Sequence, residues 1–169
     1  MTLAIVFGSR TWEDLETIEE VLDRITLEGD GTMRVVTGAN GLKRDDARPE
    51  RSADALADWA TMRRGLRPIR VPAAWHVHDP EGVSGVKCTH APRTDRAGRD
   101  YCPAAGNRRN QRIITEHLVP AIETGELIFV AGFRRTDTDS PGTDDMRRRL
   151  RPFVKAGQIT GIMSVAAGS

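Results

Sequence analysis

The feature that most constrains this chain is its beginning. Leu3-Ala4-Ile5-Val6-Phe7 is an unbroken apolar run, and Gly8-Ser9-Arg10-Thr11-Trp12 follows it directly. An apolar run without polar alternation suits a strand buried on both faces, as in a parallel sheet. Helical spacing starts near Glu13. A Gly-Ser turn between such a strand and a helix brings backbone N–H groups to the helix N-terminus, a setting that suits an anion such as phosphate. Arg10 adds a planar fork that is always charged. The plainer alternative is a tight turn at Gly8 beside a solvated arginine, since no full dinucleotide fingerprint is present.

The same rhythm continues along the chain. Leu15, Ile18, Leu22 and Ile25 recur at helical spacing between Glu13 and Leu27, and Gly29-Asp30-Gly31 ends that helix. Met33 to Thr37 reads as a second strand, followed by a second glycine turn, Gly38-Ala39-Asn40-Gly41. In open α/β sheets, ligands sit at the carboxyl ends of the strands, so both turns belong on one rim. Leu42 to Arg51 reads as a polar inserted loop. Ser52 is a suitable N-cap for a helix running to about Arg64. Pro68 to Pro72 gives a short third strand. Gly106 to about Leu118 is a helix that opens on Asn107-Arg108-Arg109-Asn110. Glu126 to Ala131 is a fourth strand, Asp144 to Ala156 a helix that Pro152 kinks or shortens, and Gln158 to Val165 a last strand. This alternation predicts a single α/β domain over residues 1–169. Its architecture is a Rossmann-like three-layer sandwich with a mostly parallel, doubly wound sheet.

One stretch breaks the pattern. Ala73 to Ala105 is irregular and polar, and it holds both cysteines and three of the four histidines. Long loops of this kind are usually functional or disordered. Cys88, His90 and Cys102, with His76 or else His78, make a soft N/S set of the kind that binds zinc tetrahedrally. A structural zinc would hold a loop with little apolar material of its own. The alternative is a loose loop with two free thiols. No organic cofactor is assigned.

Composition limits the remaining choices. A net charge of +1 gives no global field toward nucleic acid, so any basic site must be local. No apolar segment approaches the roughly 20 residues of a membrane span, and no basic-then-apolar leader opens the chain. The expected location is cytoplasmic, with no membrane partner.

Several short motifs then fall in a telling order. They are Gly8-Ser9-Arg10-x-Trp12, Val35-Val36-Thr37-Gly38, Ala53-Asp54-x-x-Ala57, Pro72-Ala73-x-Trp75, Gly106-x-x-Arg109-Asn110 and Gly142-Thr143-x-x-Met146. Together they resemble the YspA-like branch of the SLOG superfamily. That superfamily also includes the cytokinin-releasing phosphoribohydrolases and the DNA-processing protein A of transformation. The resemblance implies a nucleotide-type ligand held at the rim by the glycine turns and the Arg109-Asn110 helix start. For this branch it implies sensing or processing of a nucleotide-derived ligand.

The candidate ligand-binding residues are therefore Gly8, Ser9, Arg10, Trp12, Gly38, Asp54, Arg109, Asn110, Gly142 and Thr143. Asp54 either accepts a ribose hydroxyl or favours a helix dipole. Thr143 either caps the last helix or contacts phosphate. Trp12 and Trp75 either stack on a base or fill the core. The phosphoribohydrolases carry a double glycine and a glutamate in the last motif. Here the glutamate position is Met146, so the expected function is a nucleotide sensor or carrier. An N-glycosidic hydrolase is the alternative, and single-stranded nucleic-acid binding is disfavoured by an aromatic content of 5% and by the charge balance. The expected partner is a nucleotide-type small molecule; homo-oligomerisation is left open.

Overall fold

The structure is a computed structural model describing residues 1–42 and 47–166. Five parallel strands form its sheet. They are β1 (Thr2–Gly8), β2 (Met33–Thr37), β3 (Ile69–Arg70), β6 (Leu127–Arg135) and β7 (Thr160–Ala166), in the order β3-β2-β1-β6-β7. The opening apolar run is the central strand because it must be covered everywhere: β1 pairs with β2 on one side and β6 on the other, and residues 2–7 are all buried. Alternation along β1 divides the core in two. Ala4 and Val6 pack with α1 (Leu15–Glu28) and α2 (Ala53–Arg63). Leu3, Ile5 and Phe7 pack with Ile113 and Leu118, and with Met146 and Leu150 of the last helix, on the other face. The result is the expected three-layer α/β sandwich with helices on both faces of a parallel sheet.

Local chemistry sets the element boundaries. Asp14 caps α1 by accepting from the Thr17 N–H at 3.0 Å. Ser52 caps α2, as its sequence position predicts. The helix after residue 105 does not stop at Leu118. It runs as α3 (Ala105–Ile113), a π-helical turn (Ile114–Leu118) and α4 (Val119–Glu123). Pro120 explains the widened turn, because it has no N–H and its ring crowds the carbonyl one turn back. β6 extends to Arg135, four residues beyond the expected strand, and α5 (Pro141–Lys155) begins at Pro141. The N-cap of α5 is Ser140, and Thr143 lies inside its first turn, which corrects the reading of Thr143 as the cap. Pro152 is accommodated in its last turns.

The 73–105 stretch is also more ordered than expected, since it carries a small antiparallel pair, β4 (Arg93–Thr94) and β5 (Asp100–Tyr101). Of the polar loop read at Leu42–Arg51, residues 43–46 lie outside the described residues. No helix among the described residues is long and apolar enough to cross a membrane.

Candidate functional site: a rim pocket backed by a cysteine–histidine cluster

The chain reverses direction across the sheet at β1. After β1 it turns onto the α1 face; after β6 it turns onto the α5 face. A crevice therefore opens between the carboxyl ends of these two strands, where open α/β sheets take ligands. It contains a cavity of about 410 Å³. Gly8, Arg10 and Thr11 contribute from the first turn, and Ser140, Pro141, Gly142 and Thr143 from the start of α5. Gly106, Asn107, Arg109 and Asn110 contribute from the start of α3, with Asp54, Trp75 and Tyr101 completing the walls. The first turns of two helices of nine and fifteen residues thus face one cavity. The first N–H groups of a helix have no intrahelical acceptor, and the dipole makes that end positive.

The cavity floor is a buried polar lattice. Arg109 Nη1 donates to the Gly38 carbonyl at 2.9 Å and to Asp54 Oδ2 at 3.2 Å, and its Nε donates to Asn110 Oδ1 at 2.9 Å. Asn110 Nδ2 in turn donates to the Gly142 carbonyl and to Asp145 Oδ2, both at 3.0 Å, tying α3 to α5. Gly38 is required here, because a Cβ at that position would overlap the Arg109 guanidinium. Burial pushes the Asp54 carboxyl above the ordinary carboxylate value, against the pull of Arg109, the Asn40 N–H and Arg10. A buried carboxyl with such a shift in a cleft is a mark of functional sites. Ser52, beside it, holds φ at 86°, a left-handed conformation rare for a residue with a side chain. It is fixed there by its N–H on the Trp12 carbonyl at 2.8 Å and its Oγ on the Asn40 carbonyl at 2.7 Å. Such strain gathers around ligand sites.

The exposed cation of the pocket is Arg10, whose Cζ lies 5.0 Å from the centre of the Trp75 ring. That is cation–π distance. Trp75, with Tyr101, therefore supplies the aromatic wall. Trp12 does not: it is 2% exposed, its ring is 5.3 Å from that of Phe133, and its indole N–H donates to the Asp14 carbonyl. Trp12 is a core residue, a correction to its expected place at the rim. Ser9 is buried beneath the turn, sharing a 2.6 Å hydrogen bond with Ser140 Oγ and accepting from the Arg135 N–H. It stitches β1 to the start of α5. The remaining expected residues, Gly8, Arg10, Asp54, Arg109, Asn110, Gly142 and Thr143, all line the cavity, and Gly38 lies directly under it. Sequence reasoning missed Tyr101, Asn107 and Asp145. Tyr101 was hidden in the irregular stretch. Asp145 is buried and reaches the site only through Asn110, on another helix.

Behind the Trp75–Tyr101 wall lies the second expected cluster. His78, Cys88 and Cys102 each place a potential ligand atom within 4.8 Å of the others, a group able to hold a metal ion. His90 Nε2 is 4.0 Å from Cys102 Sγ. His76 is not part of it, because its Nδ1 is engaged with the Asp100 carbonyl at 2.9 Å on the exposed side. His76 sits in a turn closed by the Val77 N–H on the Ala74 carbonyl, and His78, just past that turn, joins the two cysteines. The two sulfurs are free and 3.1 Å apart, and Arg108 Nη1 donates to both, at 2.8 and 3.1 Å. Burial opposes ionisation of Cys102, yet hydrogen bonds from Arg108, Cys88 and His78 outweigh it and hold the thiol at about 6. The thiolate is the form that binds metals. His78 Nδ1 is buried with no hydrogen-bond partner among the described residues. A buried imidazole with an unpartnered nitrogen, grouped with two sulfurs, fits a borderline metal such as zinc.

No family model, curated protein or solved structure matches the chain.

Proposed function

We propose that the rim pocket binds a small nucleotide-type molecule and that the protein acts as its sensor or carrier. The observation that carries this reading is the convergence of two helix N-termini, Arg10 and an aromatic wall on one cavity of about 410 Å³. The helix ends and Arg10 suit a phosphate, Trp75 and Tyr101 suit the face of a base, and Asp54 and Asn107 suit sugar hydroxyls. The resemblance to the YspA-like branch of the SLOG superfamily points to the same ligand class. Calorimetric titration with AMP, GMP, CMP and UMP tests the reading. Binding of at least one, weakened in Arg10→Ala, is expected; no heat from any of them in the wild-type protein contradicts it.

The hydrolase alternative is weaker. The position of the catalytic glutamate of the phosphoribohydrolases falls on Met146, which is 0% exposed and packed in the core with Leu150. No carboxylate enters the cavity from that turn of α5.

Zinc is the occupant we assign to the cysteine–histidine cluster, with His78, Cys88 and Cys102 as ligands and His90 as the fourth. The orphaned His78 Nδ1 supports it. Bound there, zinc would supply structural cross-linking of the loop and no chemistry at the pocket. Elemental analysis of protein purified without chelator should give about one zinc per chain. Less than about half would refute the assignment.

A further inference from the structure

The cysteine–histidine cluster and the ligand pocket share a wall. Cys102 lies between Tyr101 and Pro103, both of which line the cavity. The Cys102 N–H donates to the Trp75 carbonyl at 2.7 Å, so the cysteine that would hold the metal also fixes the backbone of the tryptophan facing the ligand. On the other side, Arg108 grips both sulfurs and the Val77 carbonyl, and the next residue, Arg109, forms the pocket floor with Asp54 and Gly38.

Beyond these, the wall is held by polar contacts, Arg10 on the Trp75 ring and His76 Nδ1 on the Asp100 carbonyl, and by little apolar packing. The apolar packing around it consists of Cys88, Cys102, Ala104 and Ala105, with Ala73 and Trp75 against them. Without a metal, two thiols, three alanines and the tryptophan are the apolar groups that remain, little buried surface to order a loop of this length against its conformational entropy. The antiparallel pair within the loop is two residues on each strand, and isolated hairpins are marginal in water.

We infer that metal occupancy at this cluster controls the ligand pocket: with the metal bound, Trp75 and Tyr101 stand as its wall, and without it the wall detaches while the five-stranded sheet remains folded. The inference rests on the zinc assignment above and concerns the regulation of the site proposed there. It makes metal and ligand mutual effectors. Each raises the affinity of the other by the same factor, because the coupling free energy is shared.

The test uses the wild-type chain and a Trp75→Phe variant. Zinc content is measured first. A strong chelator is then added, and iodide quenching of tryptophan fluorescence, the far-ultraviolet dichroism of the sheet and helices, and AMP affinity are followed. The expected result is bound zinc whose removal leaves the dichroism nearly unchanged. It increases quenching in the wild type but not in Trp75→Phe, and it weakens AMP binding by about tenfold, within the usual range for linked sites. Readdition of zinc restores both signals. The quenching arm needs no nucleotide, so a failure of AMP to bind the zinc-loaded protein counts against the nucleotide reading alone. Absence of zinc overturns the metal assignment and this inference with it. Zinc that is present and removable without changing Trp75 quenching overturns the inference and leaves the metal assignment standing. Loss of all structure on chelation also overturns it, since the metal would then hold the whole fold instead of one wall.

Discussion

Arg109 and Asp54 meet at 3.2 Å under the pocket floor, with side chains only 14% and 5% exposed. The pair joins the start of α3 to the start of α2, and the Gly38 carbonyl completes its hydrogen bonding. An ion pair this enclosed is costly to break from one side, because the remaining charge stays buried. Arg109→Ala should therefore destabilise the fold by about 3–5 kcal/mol. Gly38→Ala should do similar damage by displacing the guanidinium. The two substitutions strike one lattice, so the double variant should lose clearly less than the sum of the singles. Urea unfolding of the four proteins checks this, and simple additivity would mean that Gly38 and Arg109 act independently.

Trp12 and Trp75 should behave as opposites. Trp12 is wedged between Phe133 and the rest of the α1–α2 core, so Trp12→Ala should cost about 3–5 kcal/mol of stability. Trp75 borders the cavity, so Trp75→Ala should weaken AMP binding by about 1–3 kcal/mol, the usual worth of a base-stacking side chain. Thermal unfolding and calorimetry on both variants separate the two roles.

Asp145 provides a pH dependence with a definite sign. Burial pushes its carboxyl up, but hydrogen bonds from Arg149, Asn110 and Arg148 outweigh burial and hold it below the ordinary value of 3.8. A carboxyl depressed in the folded state adds stability that is fully present above the unfolded-state value. That stability is lost as pH falls through the folded-state value. Asp145→Asn should lower stability at pH 7 and flatten its decline below about pH 4. Urea midpoints of both proteins at neutral and acid pH decide it; equal acid slopes would show that Asp145 is not linked in this way.

Met146 addresses the hydrolase alternative. No free base should be released from AMP by the wild-type protein. Introducing the missing carboxylate should not rescue activity, because Met146 faces the core beneath α5 and not the cavity. Met146→Glu should instead destabilise by more than about 3 kcal/mol, through an unpaired buried carboxyl and lost packing. Release of adenine by either protein, measured chromatographically, would revive the enzyme reading.

The fold was legible because its signals are local. The run from Leu3 to Phe7 has no polar face to expose, so it had to be a central strand, and Met33–Thr37 was readable to the residue. Convergence of the rim followed from the same logic, since each turn comes at a strand end. What escaped depends on direction and on partners distant in sequence. Trp12 and Trp75 both follow strands, and only the packing of Phe133 against one of them shows which is core. His76 and His78 differ by two positions, and spacing cannot say which turns inward. Asp145 belongs to the site through Asn110, a partner on another helix that no local pattern reveals. The short strands at Arg93 and Asp100 exist through their pairing with each other, which no two-residue window can reveal.

The proposed function requires a nucleotide-type molecule in the rim pocket. Native mass spectrometry of the gently purified protein, followed by release and fragmentation of whatever is bound, tests it most directly. The wild-type chain should carry an added mass that fragments to a phosphorylated nucleoside, and the Arg10→Ala, Trp75→Ala double variant should lose it. A wild-type protein that carries no such molecule and takes up none from a mixture of nucleotides, or a double variant that retains it fully, would rule out a nucleotide at this pocket.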